Sequence, residues 1–374
     1  MRRSALPALL GTATLVLTAC GSGDDAATGG GAGPVAVAAS DSTCDVSRTE
    51  LTSGKNVLSI SNKGSKTTEV YLYAEGDRII AEKENIAPGL SYDLTVQVQP
   101  GSYTVACKPG QVGDGIRTPV TVAGDAAPTA DPVTEKAVAD YRAYVQQQAD
   151  ALIPLATGFA DAVKAGDVAK AQSLYAPSRV PWEAIEPVAE AFGDLDPAVD
   201  LREADLEPDQ EWTGWHRIEK ALWVDGSTDG MAPVADGLIA NLVDLQSRVP
   251  DAEMTATSIG NGAKELLDEV ATGKITGEEE AFSHTDLVDF DANVAGAKKA
   301  YDVLRPIVQE SQPDLVTQLD RAFADVTAAL KPYATPGGSY VSYETVDEAG
   351  RRELARVVDA LGEPLSQLAA AATR

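Results

Sequence analysis

The sequence predicts a multidomain protein, a small all-β sandwich followed by an all-α helical bundle, exported behind an N-terminal signal. Three observations carry this reading. Apolar residues follow strand-like runs up to about residue 123 and a helical period after it. Turn chemistry punctuates the first part at short intervals, and strand signals almost vanish beyond residue 130. Residues 34–124 hold 8 basic and 10 acidic side chains and residues 125–374 hold 20 and 45, so nearly all of the formal charge of −27 belongs to the second part.

At the N-terminus, Arg2 and Arg3 precede an apolar run from Ala5 to Leu17 that ends in LTAC and is followed by Gly21-Ser22-Gly23-Asp24-Asp25. A basic start, a short apolar stretch and a small-residue cleavage site make a secretory signal. The run is too short to span a bilayer, and no other segment offers the roughly 20 apolar residues a spanning helix needs. Residues 1–20 are read as the signal peptide and 21–34 as a flexible tether containing TGGGAG at 28–33. LTAC resembles the bacterial lipobox, which implies that Cys20 is lipid-modified and becomes the mature N-terminus. The expected product is exported and lipid-anchored to the outer face of the cytoplasmic membrane.

Residues 35–124 read as the sandwich. VLSISN (57–62), EVYLYA (69–74), YDLTVQV (92–98) and SYTVAC (102–107) are rich in Val, Ile, Tyr and Thr. Ser53-Gly54, Asn62-Lys63-Gly64, Glu75-Gly76-Asp77, Pro88-Gly89 and Pro100-Gly101 separate them. Beyond Cys20 the cysteines are Cys44 and Cys107. Export permits a disulfide between them. Both could instead serve as metal ligands, and the residues alone leave the two readings open.

Residues 125–130 form the linker and 131–374 the bundle. Val138, Tyr141, Val145 and Leu152 share one helical face. Further helices are expected around 167–176, 180–192, 214–223, 232–248, 256–272, 285–310, 314–331 and 345–372. Pro154 and Pro306 are expected to kink or break their helices, and Thr345-Val-Asp-Glu348 has the form of a capping box for the last one.

The chemistry concentrates in GWHRIEKALW (214–223). The chain has two histidines, and one of them, His216, stands three residues before Glu219 in a stretch crowded by Trp212, Trp215 and Trp223. At i and i+3 both side chains leave one helix face, and an imidazole and a carboxylate there can hold one ion. Upstream, VPWEAIEP places Glu183 and Glu186 on one face, and DPAVDLREAD holds Asp200, Glu203 and Asp205. Downstream, ITGEEEAFSHTDLVDF holds Glu278, Glu279, Glu280, His284, Asp286 and Asp289. Each acidic cluster alone reads as a solvated face or a cap; together they supply oxygens from several helices around one nitrogen. That donor mix suits Fe(III), Fe(II), Mn or Zn and not Cu(I).

Other classes fit poorly. The acidic field opposes phosphate binding, which excludes nucleic acid as an expected partner. Zinc-peptidase helices of the H-E-x-x-H or H-x-x-E-H kind need two histidines, and Lys220 stands where the second pattern requires one. No nucleophile elbow, phosphate loop or dinucleotide glycine pattern is present.

HRIEKALW, RVPWEAIEPVAEAFGDLDPAVDLREAD and GKITGEEEAFSHTDLVDFDANVAGAKKAYDVLRP resemble the imelysin-like (M75) domain of the EfeO family, exported components of iron-uptake systems. ENIAPGLSYDLTVQVQPGSYTVAC is similar to that family's N-terminal cupredoxin-like domain. The resemblance runs from about residue 35 to the C-terminus. It implies a cupredoxin-like sandwich before an antiparallel imelysin-like bundle that binds Fe2+ or Fe3+ around the HxxE motif, with zinc or copper as alternative ions. Carried over by position, His216, Glu219, Glu183, Glu186, Asp200 and Glu279 are the implied metal ligands. Asp45, Glu69 and Cys107 match positions of a second implied site, in competition with a Cys44–Cys107 disulfide. Residues 34–124 contain neither His nor Met, so a blue-copper centre is not expected. The implied partners are an EfeU-like permease and an EfeB-like haem peroxidase. The functional expectation is an iron-binding carrier; the alternatives are a ferroxidase-assisting or peptidase enzyme, or a polymer-binding adhesin.

Overall fold

A computed structural model of the chain describes residues 33–126, 131–193, 195–208 and 210–373. Cys20, the signal peptide and nearly all of the tether lie outside the described residues, as does most of the linker.

The first domain has nine strands: β1 (Val35–Ala39), β2 (Cys44–Val46), β3 (Glu50–Thr52), β4 (Gly54–Asn62), β5 (Thr68–Tyr73), β6 (Ile79–Ile86), β7 (Ser91–Val98), β8 (Gly101–Pro109) and β9 (Ile116–Ala123). They form a four-stranded sheet in the order β2-β1-β4-β7 and a five-stranded sheet in the order β3-β9-β8-β5-β6. The β1–β4 and β3–β9 pairs are parallel and the others antiparallel. Along β4 buried and less buried residues alternate, as a strand with one face on a core requires. By contrast β5 is buried along its whole length. Val70 and Leu72 enter the sandwich core, while Tyr71 and Tyr73 form a separate cluster with Ala106. Glu69 and the β6 residues Glu82 and Glu84 gather with this second face, and Tyr71 and Tyr73 line a cavity shared with the helices.

A disulfide joins Cys44 on β2 to Cys107 on β8, tying one sheet to the other with a Cα–Cα distance of 5.6 Å. Of the two readings left open for these cysteines, this arrangement is the disulfide. The Cys107 sulfur is spent in the disulfide and no longer available as a thiolate. Asp45 accepts from Thr43, and Glu69 accepts from Tyr71 and Gln111.

The second domain comprises α1 (Pro132–Lys164), α2 (Val168–Glu183), α3 (Glu186–Glu190), α4 (Asp196–Val199), α5 (Gly214–Lys220), α6 (Ala232–Arg248), α7 (Ala256–Glu269), α8 (Asp286–Ser311), α9 (Pro313–Leu330), α10 (Glu348–Leu365) and α11 (Leu368–Ala372). Helix α1 packs on α2, α6 and α8, α7 on α8, and α9 on α10. Neither Pro154 nor Pro306 ends its helix. Each is exposed, as is the residue four before it, so water can take the carbonyl that lost its partner. The expected helix at 180–192 is divided: 180–183 complete α2, and α3 begins after a turn. Asp347, not Thr345, caps α10, its side chain accepting from the Gly350 N–H.

The domains are joined by polar contacts. Lys83 meets Asp268 at 2.6 Å, Arg78 meets Glu253 at 2.6 Å, and the Ile79 N–H donates to the Ala191 carbonyl at 3.2 Å. Among the described residues no helix is long and apolar enough to cross a membrane.

Candidate metal centre

Two close backbone approaches assemble the centre. Gly214 opens α5 at φ 81°, and a Cβ there would overlap the Val199 carbonyl at the end of α4. Its absence lets α5 start against α4 and sets His216 beside Asp200. Gly296 on α8 likewise has no Cβ to strike the Ala184 carbonyl, which brings Asp289 and Asn293 over the end of α2. Asn293 Nδ2 donates to the Glu183 carbonyl at 2.9 Å and to Glu183 Oε2 at 3.2 Å.

His216 is buried with a carboxylate on each side. Its Nδ1 lies 3.2 Å from Glu219 Oε2, the i,i+3 contact expected of the motif. Glu219 is itself fixed, its Oε1 accepting the N–H groups of Phe282 at 3.1 Å and Ser283 at 2.7 Å. His216 Nε2 faces Asp200 Oδ1 at 3.2 Å and Glu279 Oε1 at 3.7 Å, with no aligned hydrogen bond to any described residue. Asp200, His216 and Glu279 offer ligand atoms within 4.8 Å of one another, and His216, Glu219 and Glu280 do the same on the other side of the ring.

Two buried cations that sequence reasoning missed lie in this network. The Arg179 guanidinium, fully buried, contacts Asp200 and Glu183 and lies 2.8 Å from Glu280, 3.4 Å from Asp289 and 3.7 Å from Glu279. It also stands 5.4 Å from the Trp215 ring centre. Lys274, 1% exposed, lies 3.1 Å from Glu183, 3.2 Å from Glu269 and 3.8 Å from Glu279. Arg179 carried one sequence signal, its i,i+4 spacing to Glu183 on α2. Lys274 carried none.

Burial pushes every carboxylate here upward, and the cations decide which ones escape. Asp200 and Glu279 are held below their ordinary range, by Arg179 and His216 for the first and chiefly by Lys274 and His216 for the second. Burial wins at Glu183, Glu280 and Asp289, which are raised. At His216, burial and Arg179 favour the neutral ring, but Asp200, Glu219 and Glu279 outweigh them and hold its pKa well above the ordinary value. These carboxylates thereby favour the protonated ring.

The expected site residues divide. His216, Glu219, Asp200 and Glu279 come together around the imidazole. Glu183 reaches the group through Arg179 and Lys274. Glu186 does not face His216. It joins Glu183 and Glu269 on one side and Glu190 and Asp196 on the other. Of the EEE run, Glu278 is exposed, and Glu280 stands beside Glu279 at the centre. The second histidine, His284, lies away from it, 3.5 Å from Glu344. Of the tryptophans near the motif only Trp215 is fully buried; the other buried one is Trp182, whose indole N–H donates to Asp200 at 2.7 Å.

The imelysin (peptidase M75) family model matches residues 137–368. The chain is 39% identical over 348 residues to the iron uptake system component EfeO of Escherichia coli K12, an alignment covering 89% of this chain and 90% of that one. The EfeO of Shigella flexneri gives the same figures. Among solved structures, a putative iron-regulated protein A precursor from Parabacteroides distasonis superposes with a TM-score of 0.52 at 15% identity, over 65% of this chain and 96% of that one, a likeness of fold alone. A β-sandwich followed by an imelysin domain, with this similarity along nearly its whole length, places the chain in the EfeO family of iron uptake system components.

Proposed function

We propose that this protein is the extracytoplasmic iron-binding component of its uptake system, tethered through Cys20, which captures Fe(II) or Fe(III) in the helical domain and presents it to an EfeU-like permease working with an EfeB-like haem peroxidase. The observation that carries the reading is the buried imidazole whose Nε2 faces Asp200 and Glu279 without an aligned partner. Nitrogen with two carboxylate oxygens is a donor set for a borderline or hard ion. Asp200, His216 Nε2 and Glu279 are the ligands in this reading. Glu219 on the opposite nitrogen fixes the ring, as outer partners of metal-bound histidines do. Arg179 and Lys274 help keep Asp200 and Glu279 ionised before the cargo arrives, and the acidic surface draws cations toward the domain. His284 faces Glu344, so it does not supply the second imidazole of a zinc-peptidase centre.

Titration of the protein with Fe(II) and Fe(III), with Zn, Cu and Mn as competitors, tests this. Tight iron binding that is lost in His216→Ala/Glu219→Ala is the expected result. Iron binding unchanged in that variant would sink the assignment of the centre.

A further inference from the structure

A cavity of about 660 Å³ lies between the sandwich and the bundle, and His216 has no part in its walls. Val96, Tyr103, Tyr141, Phe192 and Met254 make much of the lining apolar. Two acids enter it, Glu82 from β6 and Glu265 from α7. A mostly apolar hollow with a few convergent polar groups is the usual form of a small-molecule site.

Glu82 stands opposite Tyr71 in the β5–β6 ladder, on the sheet face turned away from the sandwich core and toward the helices. It is 6% exposed, yet its carboxylate makes no hydrogen bond or ion pair with any described residue. Tyr141, 2% exposed, likewise has no hydrogen-bond partner for its hydroxyl among the described residues. The three groups share one volume. After burial, which is the larger cause, the Glu265 charge opposes the ionisation of both Glu82 and Tyr141, and burial lifts Glu265 itself to about 8. The two cations on the walls are engaged elsewhere. Arg78 meets Glu253 at 2.6 Å, and Arg142 donates to the carbonyls of Val249, Pro250 and Ala252. Buried acceptors left without a donor or a counter-charge are costly. A bare metal ion finds too few ligand atoms here, since neither Glu82 nor Glu265 belongs to a group of three potential ligands among the described residues.

We propose that this interdomain cavity binds a small organic cation, an ammonium or guanidinium group on an apolar body, with Glu82 and Glu265 receiving the charged head. The Tyr141 hydroxyl can accept a further hydrogen bond from that head. The apolar walls take the body, and the aromatic rings among them favour a cation at their faces. An anion would meet like charge, and a neutral molecule would leave both carboxylates without a counter-charge. The site stands on its own residues and does not require His216 to bind iron.

The test is a calorimetric titration of the full chain at neutral pH with three ligands of one shape: tryptamine, the neutral alcohol tryptophol and the anion indole-3-acetate. Wild type, Glu82→Gln and His216→Ala are compared, with circular dichroism confirming the fold. Tryptamine is expected to bind wild type at least about tenfold more tightly than tryptophol, and indole-3-acetate more weakly than either. Glu82→Gln should weaken tryptamine by about tenfold while leaving tryptophol within about twofold, and His216→Ala should change neither. Equal affinity for tryptamine and tryptophol, or no tryptamine binding, overturns the proposal. So does tryptamine affinity that is unchanged in Glu82→Gln or lost in His216→Ala. If Glu82→Gln fails to fold, Glu265→Gln is read by the same criterion.

Discussion

His216 Nε2 lies 3.2 Å from Asp200 Oδ1, although the two residues belong to different segments separated by an irregular stretch. The contact exists because α5 starts directly against the end of α4. It turns a one-helix motif into a cluster with a carboxylate oxygen at each imidazole nitrogen.

If Nε2 is the metal ligand and Glu219 the group that orients it, the two substitutions differ in severity. His216→Ala is expected to weaken iron binding about a hundredfold or more, and Glu219→Gln about ten- to a hundredfold. Because the contacts with Asp200, Glu219 and Glu279 keep the ring protonated, loading at neutral pH should release a proton. Calorimetry in buffers of different ionisation enthalpy measures both quantities. Equal losses in the two variants, or no proton release, would contradict these roles.

Arg179 is the buried counterion of several carboxylates at once. Arg179→Met should cost about 3–5 kcal/mol, since it strands buried charge. Added iron or zinc should recover part of that loss by supplying positive charge at the same place. Urea unfolding with and without metal reads both effects.

Gly214→Ala asks whether the approach of α5 to α4 matters. The added Cβ meets the Val199 carbonyl at a positive φ, so destabilisation of about 2–4 kcal/mol is expected, with iron binding weakened in the folded fraction. Thermal unfolding and an iron titration check it. A variant of unchanged stability and affinity would show that the helix is placed by other contacts.

Asp286 gives a pH dependence. Burial, then the nearby Glu280, push its carboxyl from 3.8 up to about 7. The folded state thus holds a proton that the unfolded chain has released, and this contribution to stability is complete below about pH 4 and fades as pH rises toward 7. Asp286→Asn should remove that slope and raise stability at pH 8 by about 1–2 kcal/mol relative to wild type. Urea midpoints at pH 5 and pH 8 provide the comparison.

The Cys44–Cys107 bond spans 63 residues and joins the two sheets. Reducing it, or making Cys44→Ser/Cys107→Ser, should destabilise the β domain by about 2–4 kcal/mol. Iron binding at His216 should be unaffected, because the bond lies in the other domain. Parallel unfolding and binding curves in reductant test this.

Local chemistry was readable from sequence because it depends on residues close in the chain. Alternation along Val57–Asn62, the helical face of Val138 and Tyr141, and the i,i+3 pairing of His216 with Glu219 all follow from backbone geometry. What the sequence could not decide was which charges share a volume. Arg179 and Lys274 look like ordinary surface cations until packing buries them among acids from α2, α8 and the segments between. Glu186 and Glu183 sit three residues apart and do come together, but beside Glu269 and Lys274 rather than at His216, while Glu186 also borders Glu190 and Asp196. By itself the sequence determined the order of sandwich and bundle and singled out His216 as the candidate nitrogen donor. Only the tertiary structure decided which oxygens and counterions surround that imidazole, because Coulomb interaction and burial depend on distance in space rather than along the chain.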